Sequence, residues 1–318
     1  MRHVLSMLQL GVKPSQEILT LAHWLKRNWQ SGDRTPWLAG RSLALLFEKP
    51  SLRTRLSFEA GMVQLGGSAI YLSQDVGWQT RESVSDFIRV LAEYCDAVVC
   101  RTFDHQTVIE LASYDVMPVV NGLTDRSHPC QALSDIFTMQ EVLGQDLRGR
   151  QVTFIGDANN VCRSLAVAAC GAGMRFRILG AANYFLDADW IEELKSHLPQ
   201  ADLVQTEDPK AALREADFVY TDVWTSMGQE AETQVRRQAF TPLQVNRKLM
   251  QLAPSSARVM HCLPARRGEE ITDDVIDSPA SLVIAQAGNR MHLQKGLLLW
   301  IGRHMGWLAR PLPDSATG

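Results

Sequence analysis

The chain has 318 residues, with 32 Lys and Arg against 35 Asp and Glu, which gives a formal net charge of −3 at pH 7. This balance argues against a nucleic-acid-binding protein, because such proteins usually carry a basic excess. Hydrophobic residues make up 46% and charged residues 21%, which excludes a disordered chain. No apolar run approaches the ~20 residues that a membrane-spanning helix needs. The length favours two domains.

The cysteines are typical of a protein from a reducing compartment. There are six, none is spaced as C-x-x-C, and no Cys/His cluster has the spacing of a zinc site. Most lie in apolar runs, where a free cysteine behaves as a small buried hydrophobe. The N-terminus also lacks the basic and apolar pattern of a secretory signal. We therefore expect a cytoplasmic protein.

The first half of the chain alternates helices and strands. Ile18, Leu21, Ala22 and Leu25 recur at helical spacing within the first helix. Predicted helices cover residues 14–29, 53–65, 83–94, 107–114 and 129–143. Predicted strands cover residues 42–47, 69–72, 97–100 and 117–121. This alternation predicts a parallel sheet covered by helices.

The second half repeats the alternation after a polar, glycine-bearing turn at residues 144–150, the best candidate linker. Predicted strands cover residues 151–155, 176–179, 218–221 and 259–262. Predicted helices cover residues 163–171, 187–197, with Asp187 as the N-cap, and about 293–307. The sequence therefore predicts an α/β protein of two domains, each a parallel sheet flanked by helices.

The first candidate site follows the first strand, in the segment FEKPSLRTRLSFE. Ser51 is placed to cap the next helix, and Arg53, Thr54 and Arg55 then occupy its first turn. A helix N-terminus offers free N–H groups and about half a positive charge. With two arginines and two hydroxyls it predicts an anion site, most naturally for phosphate. The alternative is a capped helix with solvent-facing arginines, which the unfavourable position of arginine on the helix dipole disfavours.

Three further polar side chains are predicted at the same sheet edge. Arg101 follows the third strand, and His128 and Gln131 stand where a helix begins after the fourth, with Pro129 suited to the first helical position. Ligands bind beyond the carboxyl ends of parallel strands, which share one edge. We therefore expect these residues to converge on the first candidate site, although a lone histidine is more often a structural, hydrogen-bonded residue.

The turn GDANN after residues 151–155 argues against a dinucleotide site. The fingerprint G-x-G-x-x-G is absent, because Gly156 is its only glycine. Asn159 and Asn160 remain, either as turn residues or as ligand donors, and their residue type slightly favours the turn.

Three segments follow the later strands. The loop DVWTSMG, residues 222–228, carries an acid, a hydroxyl and a glycine hinge suited to an amine and a carboxylate. The segment HCLP contains Cys262, either a polar or nucleophilic group or a packing residue, and Leu263–Pro264 is a candidate cis peptide. Residues 289–292 are expected to precede the last helix.

Together these segments resemble the aspartate/ornithine carbamoyltransferase family. FEKPSLRTR is similar to its carbamoyl phosphate loop, usually S-T-R-T-R, and HPCQ at residues 128–131 matches its second motif. DVWTSMG and HCLPA match motifs of the ornithine branch. Aspartate members lack S-M-G and have an H-P-L-P type segment, whereas N-acetylornithine members share C-L-P without S-M-G. The resemblance runs from MRH at the N-terminus to the last helix.

The resemblance implies a role for each matching residue. Domain 1–143, joined by the C-terminal helix at about 293–318, would bind carbamoyl phosphate, and domain 151–290 would bind ornithine. The carbamoyl phosphate residues would be Ser51, Leu52, Arg53, Thr54, Arg101, His128, Pro129, Cys130 and Gln131. The ornithine residues would be Asn160, Asp222, Ser226, Met227, Cys262, Leu263 and Arg290. Of these, the catalytic residues would be Arg53, Arg101, His128 and Cys262.

The implied reaction transfers the carbamoyl group of carbamoyl phosphate to the δ-amine of L-ornithine, giving L-citrulline and phosphate. It implies no metal or organic cofactor, no nucleic-acid or membrane partner, and a homotrimer or an assembly of trimers. The alternatives are a related transferase acting on another amine, such as putrescine or an acylated ornithine, and a non-catalytic paralogue that binds carbamoyl phosphate. The presence of Arg53, His128 and Cys262 disfavours the paralogue.

Three positions depart from the family pattern. Leu52 replaces the usual threonine of S-T-R-T, a residue that contributes partly through its backbone. Gly77 stands where many members carry a glutamine that reaches a neighbouring subunit's site, and Gln79 or Arg81 is the candidate substitute. Gly288 replaces the glutamate of A-E-N-R, just before Arg290.

Overall fold

The structure, a computed structural model, describes residues 2–73, 76–78, 80–225 and 230–316. These residues belong to two compact units. The first is formed by Met1–Phe137 with Asn289–Gly318, and the second is Thr138–Gly288.

The first unit is built on a four-stranded parallel sheet in the order β2-β1-β3-β4. The strands are β1 Ser42–Phe47, β2 Ser68–Leu72, β3 Ala97–Arg101 and β4 Val119–Leu123. The helices are α1 Met7–Leu10, α2 Val12–Gln30, α3 Leu52–Gln64, α4 Val84–Tyr94, α5 His105–Ser113 and α6 Pro129–Leu143. Every residue of the inner strand β3 is buried, because helices cover a parallel sheet on both faces.

The second unit is built on a five-stranded parallel sheet in the order β7-β6-β5-β8-β9. The strands are β5 Gln151–Ile155, β6 Arg175–Leu179, β7 Asp202–Thr206, β8 Phe218–Thr221 and β9 Arg258–His261. The helices are α7 Asn160–Gly171, α8 Ala188–His197, α9 Pro209–Leu213, α10 Thr233–Phe240, α11 Arg247–Met250 and α12 Asp273–Ile276, and α13 Val283–His304 begins in this unit and ends in the first. Short 3-10 helices lie at Ala182–Tyr184, Glu230–Glu232 and Thr241–Leu243 in the second unit and at Asp314–Ala316 in the first.

The division between the units falls inside two helices. Phe137, the last residue of the first continuous stretch, lies in α6, and Gly288 lies in α13. The polar turn at 144–150, predicted as the linker, comes just after α6. Both helices therefore contribute residues to both units.

The predicted fold class is confirmed, with local differences. Strand β7 was not predicted, α7 begins at Asn160 rather than at 163, and β4 lies two residues later than expected. The prediction that the last helix begins near 293 is wrong, because α13 begins at Val283. Residues 289–292 therefore lie within the helix and do not precede it. Within the described ranges, no helix is both long and apolar enough to cross a bilayer.

Candidate functional site

The N-terminus of α3 presents the segment predicted to bind an anion. Ser51 is its N-cap, and its Oγ accepts from the Thr54 backbone N–H at 3.3 Å. The exposed Leu52 follows, and Arg53 is half-buried in the first turn. Arg55 instead pairs with Glu59 at 2.9 Å, so it is engaged at the surface. Arg53 is therefore the first-turn arginine that makes no ion pair with a described residue.

Buried side chains from four elements of the first unit, α3, β3, α6 and α13, meet at the Thr54 hydroxyl and the Gln131 amide. The Thr54 Oγ1 accepts from Arg290 Nη2 at 3.2 Å and lies 3.5 Å from Arg101 Nη1. Arg290 Nη1 donates to Gln131 Oε1 at 2.8 Å, and Gln131 Nε2 donates to Asp135 at 2.8 Å. We call Thr54, Arg101, His128, Gln131 and Arg290 the arginine cluster. The strand-end positions predicted this convergence for all of its members except Arg290.

His128 is a neutral member of the arginine cluster. Its burial, together with the nearby charges of Arg290 and Arg101, holds the pKa of the imidazole well below its usual value. At neutral pH the cluster thus combines two guanidinium charges with an uncharged imidazole, a hydroxyl and an amide. This set suits an anion that also carries neutral hydrogen-bonding groups.

The two residues between His128 and Gln131 occupy the start of α6. Pro129 is the first helical residue, as predicted. Cys130 is fully buried, its thiol donates to the Asn121 carbonyl at 3.5 Å, and burial raises its pKa to about 12. The Cys130 thiol therefore packs inside the unit and stays protonated.

A second group of residues surrounds Asp222, just after β8 in the second unit. The Cys262 thiol donates to Asp222 Oδ1 at 3.0 Å, and Asn159 Nδ2 donates to Asp222 Oδ2 at 2.9 Å. Asn159 is also the N-cap of α7, accepting from the Val161 and Cys162 backbone N–H groups. We call Asn159, Asp222 and Cys262 the aspartate cluster. The bond from Asn159 to Asp222 was not predicted, and the position of Asn159 before an apolar run was the available signal.

Arg236 is a functional candidate that the sequence did not indicate. Its Nη1 donates to Asp157 at 2.6 Å and to the Trp224 carbonyl at 3.3 Å. Burial raises the pKa of Asp157 in spite of this ion pair. Arg236 thereby connects Trp224, in the first part of the predicted ornithine loop, to Asp157 in the turn after β5. Ser226 and Met227, predicted in that loop, and Gln79, a predicted substitute, lie outside the described residues.

Among the residues that the structure describes, one group of potential metal ligands comes together. Ligand atoms of Asp222, His261 and Cys262 lie within 4.8 Å of one another. Both His261 ring nitrogens are hydrogen-bonded, Nδ1 to the Leu263 N–H at 2.9 Å and Nε2 to Glu270 at 3.0 Å. The imidazole therefore has no lone pair for a metal ion, and the group is a hydrogen-bonded cluster.

The segment after β9 and the last helix complete the predicted site residues. The Leu263–Pro264 peptide is cis, as predicted, and Leu263 has φ +58. Arg290 was grouped with the ornithine residues, in a domain that ended at 290, but the structure places it in the first unit, bonded to Thr54 and Gln131.

Two of the departures from the family pattern, Gly77 and Gly288, lie in different backbone environments. Gly77 has φ +76, a backbone that disfavours other residues, whereas Gly288 lies in α13 beside open space.

Comparisons with known proteins cover nearly the whole chain. The family model described as "Aspartate/ornithine carbamoyltransferase, carbamoyl-P binding domain" matches residues 2–141. The model described as "Aspartate/ornithine carbamoyltransferase, Asp/Orn binding domain" matches residues 148–301. Both halves of the chain are therefore covered by one family.

Individual relatives agree with the family models. The ornithine carbamoyltransferase of Anoxybacillus flavithermus is 49% identical over 285 residues, 89% of this chain and 90% of the relative. The solved ornithine carbamoyltransferase from Pyrococcus furiosus has a TM-score of 0.89 at 43% identity, covering 93% of this chain and 96% of that one. A solved N-acetyl-L-ornithine transcarbamylase has a TM-score of 0.84 at 30% identity, covering 94% and 99%. The resemblance seen in the motifs is confirmed: this chain belongs to the aspartate/ornithine carbamoyltransferase family.

Proposed function

We propose that the protein is an ornithine carbamoyltransferase, which transfers the carbamoyl group of carbamoyl phosphate to the δ-amine of L-ornithine and releases L-citrulline and phosphate. The observation that carries this proposal is the arginine cluster, in which Arg101 and Arg290 converge on the hydroxyl of Thr54 at the start of α3. A buried pair of guanidinium groups beside a helix N-terminus is suited to a phosphorylated substrate.

Carbamoyl phosphate is assigned to the first unit. Its phosphate lies at the N-terminus of α3, held by Ser51, Arg53, Thr54 and the backbone at Leu52. The carbamoyl group lies against Arg101, His128 and Gln131 at the start of α6. Arg290 belongs to this group rather than to the ornithine residues, because it donates to both Thr54 and Gln131.

The arginine cluster stabilises the charge that develops in the reaction. When the amine attacks, the carbonyl oxygen gains negative charge, and Arg101, His128 and Thr54 act as hydrogen-bond donors to it. The neutral state of His128 follows from its lowered pKa, so it donates an N–H without adding a third positive charge. Arg53 takes up the charge that builds on the departing phosphate. The phosphate leaves with the electron pair of the broken bond.

Ornithine is assigned to the second unit. Its amino-acid end lies against Asn160, Asp222 and the loop that carries Ser226 and Met227, with Cys262 and Leu263 towards the δ-amine. The δ-amine must lose its proton to attack, although an alkyl ammonium has a pKa of ~10.4 in water. Cations near the leaving group lower that pKa by like-charge repulsion. In this proposal Cys262, whose thiol donates to Asp222, orients the amine. No resident metal or cofactor is part of this scheme, and both directions of the reaction use the same groups.

A transferase for another amine is the second candidate. The solved N-acetyl-L-ornithine transcarbamylase has nearly the same fold at 30% identity, so the fold does not separate the two. The S-M-G of the DVWTSMG loop favours free ornithine. A non-catalytic role is disfavoured because the arginine cluster and the Cys262–Asp222 pair are both present.

A homotrimer in the cytoplasm is proposed as the working state. Its support is the family resemblance together with an apolar stripe on α3, where Leu52, Leu56 and Val63 are 67%, 52% and 65% exposed. Positions 52, 56 and 63 share one helix face, which a second copy of the chain would cover. A sedimentation experiment that gives a monomer at working concentration would contradict this. The six cysteines, none of which forms a disulfide, support a reducing compartment.

The proposed phosphate site is tested by Arg53→Ala with Arg55→Ala as its control. Both remove an arginine from the first turn of α3, but Arg55 is paired with Glu59. We expect Arg53→Ala to remove most citrulline formation without unfolding the chain, and Arg55→Ala to retain most of it. Near-normal turnover in Arg53→Ala would overturn the phosphate assignment.

A further inference from the structure

The backbone of Leu263 adopts a conformation that needs an explanation. Its φ is +58, in the left-handed region that side-chain-bearing residues seldom occupy. Among the described residues other than glycine, Asp115 alone shares a positive φ, and aspartate tolerates it. A bulky residue persists in this region when its surroundings hold it there, and such positions cluster at functional sites.

The side chain of His261 holds Leu263 in this conformation. The Leu263 N–H donates to His261 Nδ1 at 2.9 Å, so the ring proton lies on Nε2. Nε2 donates in turn to Glu270 Oε1 at 3.0 Å. Both side chains are fully inaccessible to solvent. Because Nε2 is engaged with Glu270 Oε1, Nδ1 is the ring atom that accepts from the Leu263 N–H.

The segment from His261 to Arg266 is held at two further backbone positions. Glu270 Oε1 also accepts from the Arg266 N–H at 2.6 Å, and Gln286 Oε1 accepts from the His261 N–H at 3.0 Å. Cys262 lies between these fixed points, and its thiol donates to Asp222 at 3.0 Å. The hydrogen bonds of His261, Glu270 and Gln286 therefore set the direction of the Cys262 side chain and of the Leu263 backbone.

We infer that His261 and Glu270 are positioning residues, which hold the Leu263 backbone in its left-handed conformation and so direct Cys262 and Leu263 towards the amine substrate. They act through the segment between them and do not touch the substrate. The effect on ornithine rests on the proposed function. The effect on the Cys262 thiol follows from the geometry alone.

Two substitutions at His261 separate its two hydrogen bonds. In His261→Asn the amide oxygen stands near the position of Nδ1 and still accepts from the Leu263 N–H, but the donor to Glu270 is lost. In His261→Gln the amide nitrogen stands near the position of Nε2 and still donates to Glu270, but the acceptor for Leu263 is lost. The pair is matched in chemistry and differs by one methylene group.

Alkylation of Cys262 by iodoacetamide reads out the geometry without any substrate. Cys262 is half-buried while the five other cysteines are buried, so it is the thiol that reacts in the folded protein. We expect His261→Gln to raise the alkylation rate about fivefold, the size of effect expected from one lost hydrogen bond. His261→Asn is expected to stay within about twofold of the unaltered protein.

Kinetics read out the consequence for the substrate. His261→Gln should raise the KM for ornithine about tenfold with a smaller change in kcat, whereas the KM for carbamoyl phosphate stays unchanged. His261→Asn should change each constant by less than about threefold. Equal effects of the two variants on alkylation, or no effect of His261→Gln, would overturn the inference. If no amine is carbamoylated by the unaltered chain, the proposed function fails and the alkylation contrast still tests the positioning role.

A second pair at Glu270 keeps the test available if the His261→Gln protein does not fold. The amide oxygen of Glu270→Gln can still accept from His261 and from the Arg266 N–H, and Glu270→Leu cannot. Alkylation of Cys262 should therefore be near normal in Glu270→Gln and about fivefold faster in Glu270→Leu. Equal rates in these two variants would overturn the inference.

Discussion

Replacing Thr54 with valine should weaken carbamoyl phosphate binding far more than its loss of one oxygen atom suggests. The Thr54 Oγ1 accepts from Arg290 Nη2 at 3.2 Å and from Ser51 Oγ at 3.0 Å, and Arg101 Nη1 lies at the outer limit of 3.5 Å. Valine has nearly the same shape but no acceptor. The substitution therefore leaves a guanidinium donor in a buried site without the oxygen that orients it.

The magnitude follows from the kind of hydrogen bond that is lost. A hydrogen bond to a charged group contributes about 1.5–3 kcal/mol, and the long contact with Arg101 adds little. Since ~1.4 kcal/mol corresponds to a tenfold change, the expected loss of carbamoyl phosphate affinity is about 10- to 100-fold. The KM for ornithine should change by less than about threefold, because Thr54 belongs to the other unit.

The assay is the initial rate of citrulline formation, with the inhibition constant of inorganic phosphate as a separate equilibrium measure of the same site. Thr153→Val is the matched control, because the Thr153 hydroxyl is fully buried and donates to the Ala212 carbonyl at 2.8 Å in the second unit. Thr153→Val should lower the free energy of unfolding by about 1 kcal/mol and leave the inhibition constant of phosphate unchanged. An unchanged KM for carbamoyl phosphate and unchanged phosphate inhibition in Thr54→Val would contradict a role for this hydroxyl in orienting Arg290.

Two further predictions concern stability. The pKa of His128 is lowered in the folded chain, so below about pH 6.5 the imidazole takes up a proton in the unfolded chain but stays neutral in the folded one. The free energy of unfolding should therefore fall as the pH drops. His128→Asn should reduce that slope by up to ~1.4 kcal/mol per pH unit in urea titrations between about pH 5 and 7, and an unchanged slope would count against the buried neutral imidazole. Gly288→Ala should stabilise α13 by about 0.5–1 kcal/mol, because a Cβ there meets open space. Gly296→Ala in the same helix should destabilise the protein, because the added Cβ would lie 2.7 Å from the Ala22 backbone nitrogen. Thermal unfolding of the two variants tests this, and a Tm that falls in Gly288→Ala or rises in Gly296→Ala would contradict it.

Strand β7 and the first turns of α13 were not predicted, because both contain polar residues whose place in a strand or helix depends on contacts with the rest of the fold. Strand β7 reads DLVQT, and its residues are exposed or half-buried because it lies at an edge of the sheet. It therefore lacks the apolar run that marked β5. The first turns of α13 contain the polar residues Gln286, Asn289 and Arg290, and the last two were expected to precede the helix. Each is buried and hydrogen-bonded in the structure, so the helix continues through them.

The site was predictable where strand ends define it and unpredictable where distant segments meet. Arg101 ends strand β3, His128 and Gln131 come after β4, and the shared sheet edge was enough to expect their convergence with Thr54. Arg290 comes from a helix more than a hundred residues later, and no local pattern links it to Thr54. The partners of Cys262 likewise depend on how β8 and β9 pair in the sheet.

The most direct test of the proposed activity offers the protein carbamoyl phosphate with ornithine, N-acetylornithine, putrescine and aspartate in parallel. We expect fast release of phosphate and formation of citrulline with ornithine, and little carbamoylation of the other three amines. Preferred turnover of another amine would keep the family and contradict the assignment of ornithine to the Asp222 side. No turnover with any amine, in a protein that is folded, would contradict the proposal that this chain is a carbamoyltransferase acting through its arginine cluster.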